Sequence, residues 1–103
     1  MSAEIRIRAQ IQGDNALIRV LMQHPMESGQ GRDETGKVIP AHFIQTFSVQ
    51  LNKQPLIDGQ LNTSISANPL FTFKARNLKA GDHLAVHWTD NTGKEKRDEI
   101  IVG

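Results

Sequence analysis

Four histidines are the side chains of this sequence best suited to metal binding or proton transfer: His24, His42, His83 and His87. Neutral imidazole is both a general base near neutral pH and the commonest metal ligand in proteins. The last two have the four-residue spacing of a helical pair, but the large apolar residues Leu84, Val86 and Trp88 occupy every second position, as in a strand. In a strand, residues four apart lie roughly 13 Å from each other, at ~3.3 Å per residue. This pair therefore cannot share one ion, and we expect it on a solvent-facing sheet surface.

The other two histidines, His24 and His42, border a long loop, and each is next to the end of a strand. They could therefore approach each other, with Met22 and Met26 as soft neighbours that a copper ion accepts. The same residues could instead shape the loop and pack, since no second cluster such as Met-x-x-Met or His-x-His accompanies them. The leading hypothesis requires no metal and no cofactor. The second hypothesis is a small metal-binding β-sandwich that uses these two histidines.

Other patterns that would indicate an enzyme are weak or missing. The sequence has no cysteine, which excludes a thiolate nucleophile, a disulfide, an iron–sulfur cluster and a cysteine-ligated zinc. The carboxylates at 33–34 and 98–99 are sequence neighbours, and neighbours in an extended chain point to opposite faces. Gly29 and Gly31 lack the strand-to-helix frame of a phosphate loop. We therefore predict no catalytic residue and no enzymatic activity.

Charge and hydropathy limit the classes of binding partner and the cellular compartments that the sequence predicts. The chain has twelve Lys and Arg and eleven Asp and Glu, which gives a formal charge of +1. The positive and negative residues are interleaved along the chain. This balance indicates neither nucleic acid nor an anionic membrane as a partner. Residues 1–8 alternate charged and apolar types, so they contain no signal-peptide core, and no run approaches the ~20 apolar residues of a membrane span. By themselves these features predict a cytoplasmic protein.

The elements that must position these side chains follow from a hydrophobic period of two. Seven short segments alternate in this way, and no segment has a convincing helical period. Residues 52–59 are predicted to form turns. We therefore predict one all-β domain over residues 1–103, an immunoglobulin-like antiparallel β-sandwich of about seven strands. Its expected core consists of Ile5, Ile7, Val20, Phe47, Val49, Phe73, Val86 and Trp88.

Residues 24–40 interrupt this pattern with seventeen residues that show no periodicity. A connection this long in a compact domain is usually functional or mobile. Several apolar residues at the loop and on the outer face of the second predicted strand are in surplus of one core, and surplus apolar surface marks an interface. With the two histidines at its rim, the predicted partner-binding surface comprises Leu17, Leu21, Met22, His24, Pro25, Met26, Ile39, His42 and Ile44.

Three sequence blocks carry a resemblance to a known family. They are VLMQHPMESGQGRDETGKVIPAHFIQTFSV at 20–49, NPLFTFKA at 68–75 and WTDNTGKEKRDE at 88–99. The elements His-Pro-Met-Glu-Ser-Gly and Ile-Pro-Ala-His-Phe-Ile, at their mutual spacing, are the most specific. Over nearly its whole length the chain resembles the SoxZ family, a subunit of the bacterial thiosulfate-oxidising system.

The resemblance implies a binding partner rather than a catalyst. In that family the subunit pairs with a SoxY-type protein, whose Gly-Gly-Cys-Gly-Gly arm carries sulfur intermediates covalently while other thiosulfate-oxidation enzymes contact the carrier transiently. This chain is similar to the cysteine-free half of that heterodimer. The family's carrier subunit bears a twin-arginine export signal and the complex is exported folded. The resemblance therefore implies a periplasmic location and replaces the cytoplasmic prediction.

Overall fold

Seven antiparallel strands form the regular structure of residues 4–103, the part of the chain that this computed structural model describes. Residues 1–3, the start of the stretch in which the sequence shows no signal-peptide core, lie outside it. Within the described residues no helix is long and apolar enough to cross a membrane. The strands are β1 (Ile5–Gln12), β2 (Asn15–Met22), β3 (Ile44–Leu51), β4 (Gln54–Gln60), β5 (Leu70–Arg76), β6 (His83–Asp90) and β7 (Glu95–Ile101).

The strands divide into a three-stranded sheet with the order β1-β2-β5 and a four-stranded sheet with the order β4-β3-β6-β7. The apolar faces of the two sheets share one core, so the predicted all-β sandwich of seven antiparallel strands is confirmed. In constant-type immunoglobulin sandwiches the fourth strand extends the sheet of the first, second and fifth strands. Here it pairs with the third strand instead.

The position of the fourth strand was predicted wrongly. Residues 52–59, which were expected to form turns, include most of β4. A proline is tolerated in β4 because β4 is an edge strand. Position 59 favours glycine, since a Cβ there would overlap the ring of Phe47 on the neighbouring strand. Pro55 and Gly59 are residue types common in turns, but here the pairing of β4 with its neighbour explains both of them.

We expect Gly59→Ala to lower the free energy of unfolding by about 1–3 kcal/mol, the usual cost of overpacking. The Phe47 ring cannot simply swing aside, because it stacks on Phe71 with ring centroids 5.1 Å apart and planes 11° apart. Urea unfolding measures the change. Gln60→Ala, an exposed change in the same strand, is the control and should stay within about 0.5 kcal/mol of the parent. A similar value for Gly59→Ala would show that the ring has room to move.

The core lies between the inward faces of the two sheets. Six of the eight predicted core residues are buried, whereas Phe47 and Phe73 are half-buried. On β6 the inward positions carry Leu84, Val86 and Trp88, and the fourth inward position is a buried aspartate, Asp90. The apolar stripe therefore ends in a charged group at one end of the sandwich.

Above that end, the long loop forms a two-stranded ribbon. The backbones of Glu27 and His42 exchange two hydrogen bonds, and Arg32 pairs with Val38 nearer the tip. The long axis of the protein measures 52 Å. An eight-residue strand covers only about 27 Å at ~3.3 Å per residue, so the ribbon and the other connections account for the rest of this length.

Candidate functional site

The buried carboxylate of Asp90 lies at the root of the ribbon, between two histidines. Its Oδ2 is 3.0 Å from Nε2 of His24 and 2.8 Å from Nε2 of His42. The side chains of Asp90 and His24 are 0% and 2% exposed, while that of His42 is 29% exposed. The two predicted histidines therefore do come together, joined by a carboxylate from β6.

The protonation state of His24 follows from its second ring nitrogen. The backbone N–H of Met26 donates to Nδ1 of His24 over 3.1 Å, so Nδ1 carries no proton. The ring proton is therefore on Nε2 and is donated to Asp90. Burial lowers the pKa of His24 below its ordinary value of 6.5, against the opposing effect of the Asp90 hydrogen bond. His24 is consequently a neutral imidazole with both nitrogens occupied.

The other oxygen of Asp90 organises the turn that follows β6. Oδ1 accepts hydrogen bonds from the backbone N–H and the hydroxyl of Thr92, at 2.9 and 2.6 Å, and from the backbone N–H of Lys94 at 3.0 Å. Burial by itself raises the pKa of the Asp90 carboxyl. The hydrogen bonds from Thr92 and the two histidines outweigh burial and hold this pKa well below its ordinary value of 3.8. Asp90 is therefore an ionised carboxylate inside the protein.

The same turn occurs a second time, at the tip of the ribbon. Residues 33–37 and 90–94 share the pattern Asp-x-Thr-Gly-Lys. In each, the aspartate Oδ1 accepts from the threonine N–H and hydroxyl and from the lysine N–H, and the glycine has a positive φ. Asp33 is exposed, and neither of its oxygens meets a histidine among residues 4–103. The two histidine contacts are what distinguishes Asp90 from an ordinary turn aspartate.

Further contacts fix the root of the ribbon. The backbone N–H of His24 donates to Oδ1 of Asn68 over 3.1 Å, and the N–H of Asn68 donates back to the His24 carbonyl over 2.9 Å. The N–H of Ile44 donates to Sδ of Met26, and the Trp88 ring meets the His24 ring edge to face at 5.1 Å. Through these bonds the site ties both legs of the ribbon to β6 and to the segment before β5.

This arrangement argues against the metal hypothesis. The nearest ligand atoms of His24, His42 and Asp90 lie within 4.8 Å of one another, a spacing that a cation could bridge. To bind through Nε2, however, His24 would have to move its proton to Nδ1 and lose the hydrogen bond from Met26, or else become an imidazolate. The sulfur of Met26, the proposed soft ligand, also accepts a hydrogen bond. The chemistry that the site supports is structural hydrogen bonding.

The residues of the predicted partner-binding surface fall into two groups. The expectation of exposed apolar surplus is wrong for Met22, Met26 and Ile44, which are 0–6% exposed, and His24, expected at the rim, is 4% exposed. The others reach the surface in two places: Leu17 and Leu21 on the outer face of the three-stranded sheet, and Pro25, Ile39 and His42 on the ribbon.

Ile44 was misplaced because of a bulge. Strict alternation puts it on the face opposite Phe47 and Val49, which predicts solvent exposure. The pairing of β3 with β6 shifts register between Ile44 and Thr46, and one additional residue turns the earlier side chain to the other face. Ile44 thereby lies opposite Asp90 and covers the site from the inside.

Sequence reasoning missed Asp90 as a residue of the site. The sequence did contain a signal: Leu84, Val86, Trp88 and Asp90 occupy every second position. A carboxylate that continues an inward-facing series must be paired or hydrogen-bonded if it is buried. Of the residues able to bind it, His24 and His42 were already recognised as neighbours of strand ends.

A comparison with protein-family models identifies the family of this chain. The sequence model described as sulphur oxidation protein SoxZ matches residues 5–100. The chain belongs to the SoxZ family. The match covers all but the last residue of the seven strands and includes the ribbon and all three side chains of the site. No curated protein matches the chain significantly.

SoxZ membership gives the chain a role in the sulfur-oxidation system known as Sox. The match includes the two motifs that carry the resemblance. In this SoxZ chain they form the two legs of the ribbon, and the histidine of each leg bonds to the same carboxylate oxygen. The most specific part of the sequence builds the ribbon root.

Proposed function

We propose that this SoxZ chain is the non-catalytic subunit of a carrier heterodimer and pairs with a SoxY-type subunit whose cysteine arm holds sulfur intermediates. The observation that carries the proposal is the SoxZ family match over residues 5–100 of a sequence without cysteine. A chain with no thiol cannot bind sulfur as a persulfide or an S-sulfonate. The covalent chemistry therefore belongs to the partner.

The candidate site supports a scaffolding role. A general base needs a nitrogen free to take a proton, whereas Nδ1 and Nε2 of His24 are both hydrogen-bonded inside the protein. Asp90 uses one oxygen for its turn and the other for the two histidines. These groups stabilise the ribbon that the sandwich presents to its surroundings. In the proposed complex, other thiosulfate-oxidation enzymes contact the assembled carrier transiently.

The proposal includes a periplasmic location, reached by export together with the signal-bearing partner. Expression of the chain with and without the partner's signal sequence tests this. We expect the chain in the periplasmic fraction only when the partner carries its signal. Appearance of the chain there in the absence of the partner would contradict co-export.

The carrier role predicts where sulfur is attached. After the purified heterodimer is incubated with thiosulfate and the remaining Sox enzymes, intact-mass spectrometry should show sulfur adducts on the partner subunit only. The reason is that the partner holds the thiol, while this chain has none. Replacing the partner's cysteine by serine is the matched control and should abolish every adduct.

Two results would contradict the proposal. The first is a persulfide or sulfonate adduct on this chain, which would make it a carrier in its own right. The second is failure of the two subunits to co-purify after co-expression. Metal analysis of the same preparation tests the alternative hypothesis, because stoichiometric copper or iron retained after dialysis would favour the metal-binding sandwich.

A further inference from the structure

The outer face of the three-stranded sheet carries a concentration of positive charge that the sequence average hides. The whole chain has a formal charge of +1. The outward positions of β1, β2 and β5 hold five cations and no carboxylate, and Glu4, just before β1, lies 3.5 Å from Arg6. The cations of this basic face are Arg6, Arg8, Arg19, Lys74 and Arg76.

The arrangement of these cations is unfavourable in the isolated chain. Arg8 and Arg19 are direct partners in the pairing of β1 with β2, and like charges directly opposite each other destabilise a sheet. No carboxylate stands at an outward position of the three strands to separate them. The face therefore has an electrostatic cost that a negatively charged partner would remove.

Apolar side chains lie among the cations. Along the outer face of β2, Leu17 and Leu21 flank Arg19 and are half-buried, and Leu70, the β5 partner of Leu21, is 61% exposed. Exposed leucines surrounded by arginines resemble the anatomy of a protein interface, with an apolar centre and a charged, arginine-rich rim. The face has no aromatic side chain on which a nucleic-acid base could stack.

We infer that this basic face is the docking surface for a protein whose complementary surface carries carboxylates around an apolar centre. The inference rests on the proposed function, in which the SoxY-type carrier subunit supplies that surface. Leu17 and Leu21 are the two predicted partner-binding residues on the outer surface of the sandwich, and they lie on β2, the middle strand of this face. Charge complementarity of this kind mainly steers association and selects the partner.

Arg8→Glu tests the inference because it moves stability and binding in opposite directions. In the isolated chain the substitution replaces a pair of opposed arginines by an opposite-charge pair with Arg19, so the Tm should stay the same or rise. Affinity for the purified carrier subunit, measured by calorimetry or interferometry, should fall about tenfold or more. Affinity of the parent chain should also fall as sodium chloride is raised, since salt screens exposed charges.

Lys53→Glu is the matched control, because it makes the same change of charge in the turn between β3 and β4 on the other sheet. It should leave affinity unchanged. Lys74→Glu is a second variant on the basic face, which keeps the test decisive if Arg8→Glu fails to fold, and it should weaken binding as well.

Each outcome has a separate meaning. If both basic-face variants bind like Lys53→Glu while the complex still forms, this inference is overturned and the proposed pairing stands. If the parent chain forms no complex with the carrier subunit, both proposals fail. Binding of a short DNA duplex by the parent chain, lost in Arg8→Glu while carrier binding is retained, would assign the face to nucleic acid and overturn the inference.

Discussion

Asp90→Asn is expected to lower the free energy of unfolding by about 3–5 kcal/mol, the range seen when one partner of a buried charged network is removed. The carboxylate accepts five hydrogen bonds, from His24, His42, Thr92 and Lys94. An asparagine can accept only through its single oxygen, so its amide group must face donors on one side or the other. His24 cannot adapt by moving its proton, because the N–H of Met26 occupies Nδ1.

Asp33→Asn provides a matched control within the same chain. Asp33 makes the same three Oδ1 contacts in the same Asp-x-Thr-Gly-Lys turn, but it is exposed and has no histidine partner within residues 4–103. The difference between the two variants therefore separates the cost of the turn from the combined effect of burial and the contacts to His24 and His42. Urea unfolding followed by the fluorescence of Trp88, the single tryptophan, measures both. Equal destabilisation would show that the histidine contacts contribute nothing.

Only part of the site could be predicted from the sequence, and that part depends on residues that are close together in the chain. Alternation of apolar residues identified residues 84–88 as a strand, whose inward series leads to Asp90. The role of Oδ2 depends on residues 66 and 48 positions earlier in the chain. Two histidines beside strand ends made an encounter possible, but only the packing of the ribbon against β6 decides that they meet a carboxylate rather than a metal ion.

The errors in the fold have a related cause. The bulge that buries Ile44 is a property of the pairing between β3 and β6, and its one trace in the sequence is Gln45, a polar residue that interrupts the apolar alternation of Phe43 and Phe47. In the same way, Pro55 and Gly59 argue against a strand until β4 is known to be an edge strand beside Phe47. The hydrophobic period of the sequence and its turn-forming residues predict which segments are strands. The register of a strand and its position at a sheet edge depend on the partner strand.

The same cluster should make the protein sensitive to mild acid. Because the pKa of His24 lies below its ordinary value of 6.5 in the folded chain, the unfolded chain binds more protons as the pH falls through 6.5. Stability therefore falls with decreasing pH, by up to about 1.4 kcal/mol per pH unit for this one group. The groups that act on His24 are Asp90 and its hydrogen bond, which raise the pKa, and His42 and Lys94, which lower it further.

Asp90 adds a second loss at lower pH with the same sign. Its pKa is depressed in the folded chain, so the stability it contributes is complete above 3.8 and is lost as the pH falls below that value. Glu99, whose pKa is lowered from 4.5 by its hydrogen bond with His83, begins to contribute only below 4.5. The interval from pH 6.5 down to about pH 5 therefore reports mainly on the buried imidazole.

Urea unfolding at several pH values in that interval tests the assignment with two variants. His24→Gln keeps an N–H that can reach Asp90 but does not titrate, so it should be less stable at neutral pH and show a flatter dependence on pH. His87→Gln removes an imidazole that is 37% exposed and 3.8 Å from Glu95, and it should keep the slope of the parent chain. If the slope survives in His24→Gln and disappears in His87→Gln, the acid sensitivity comes from the outer sheet face rather than from the ribbon root.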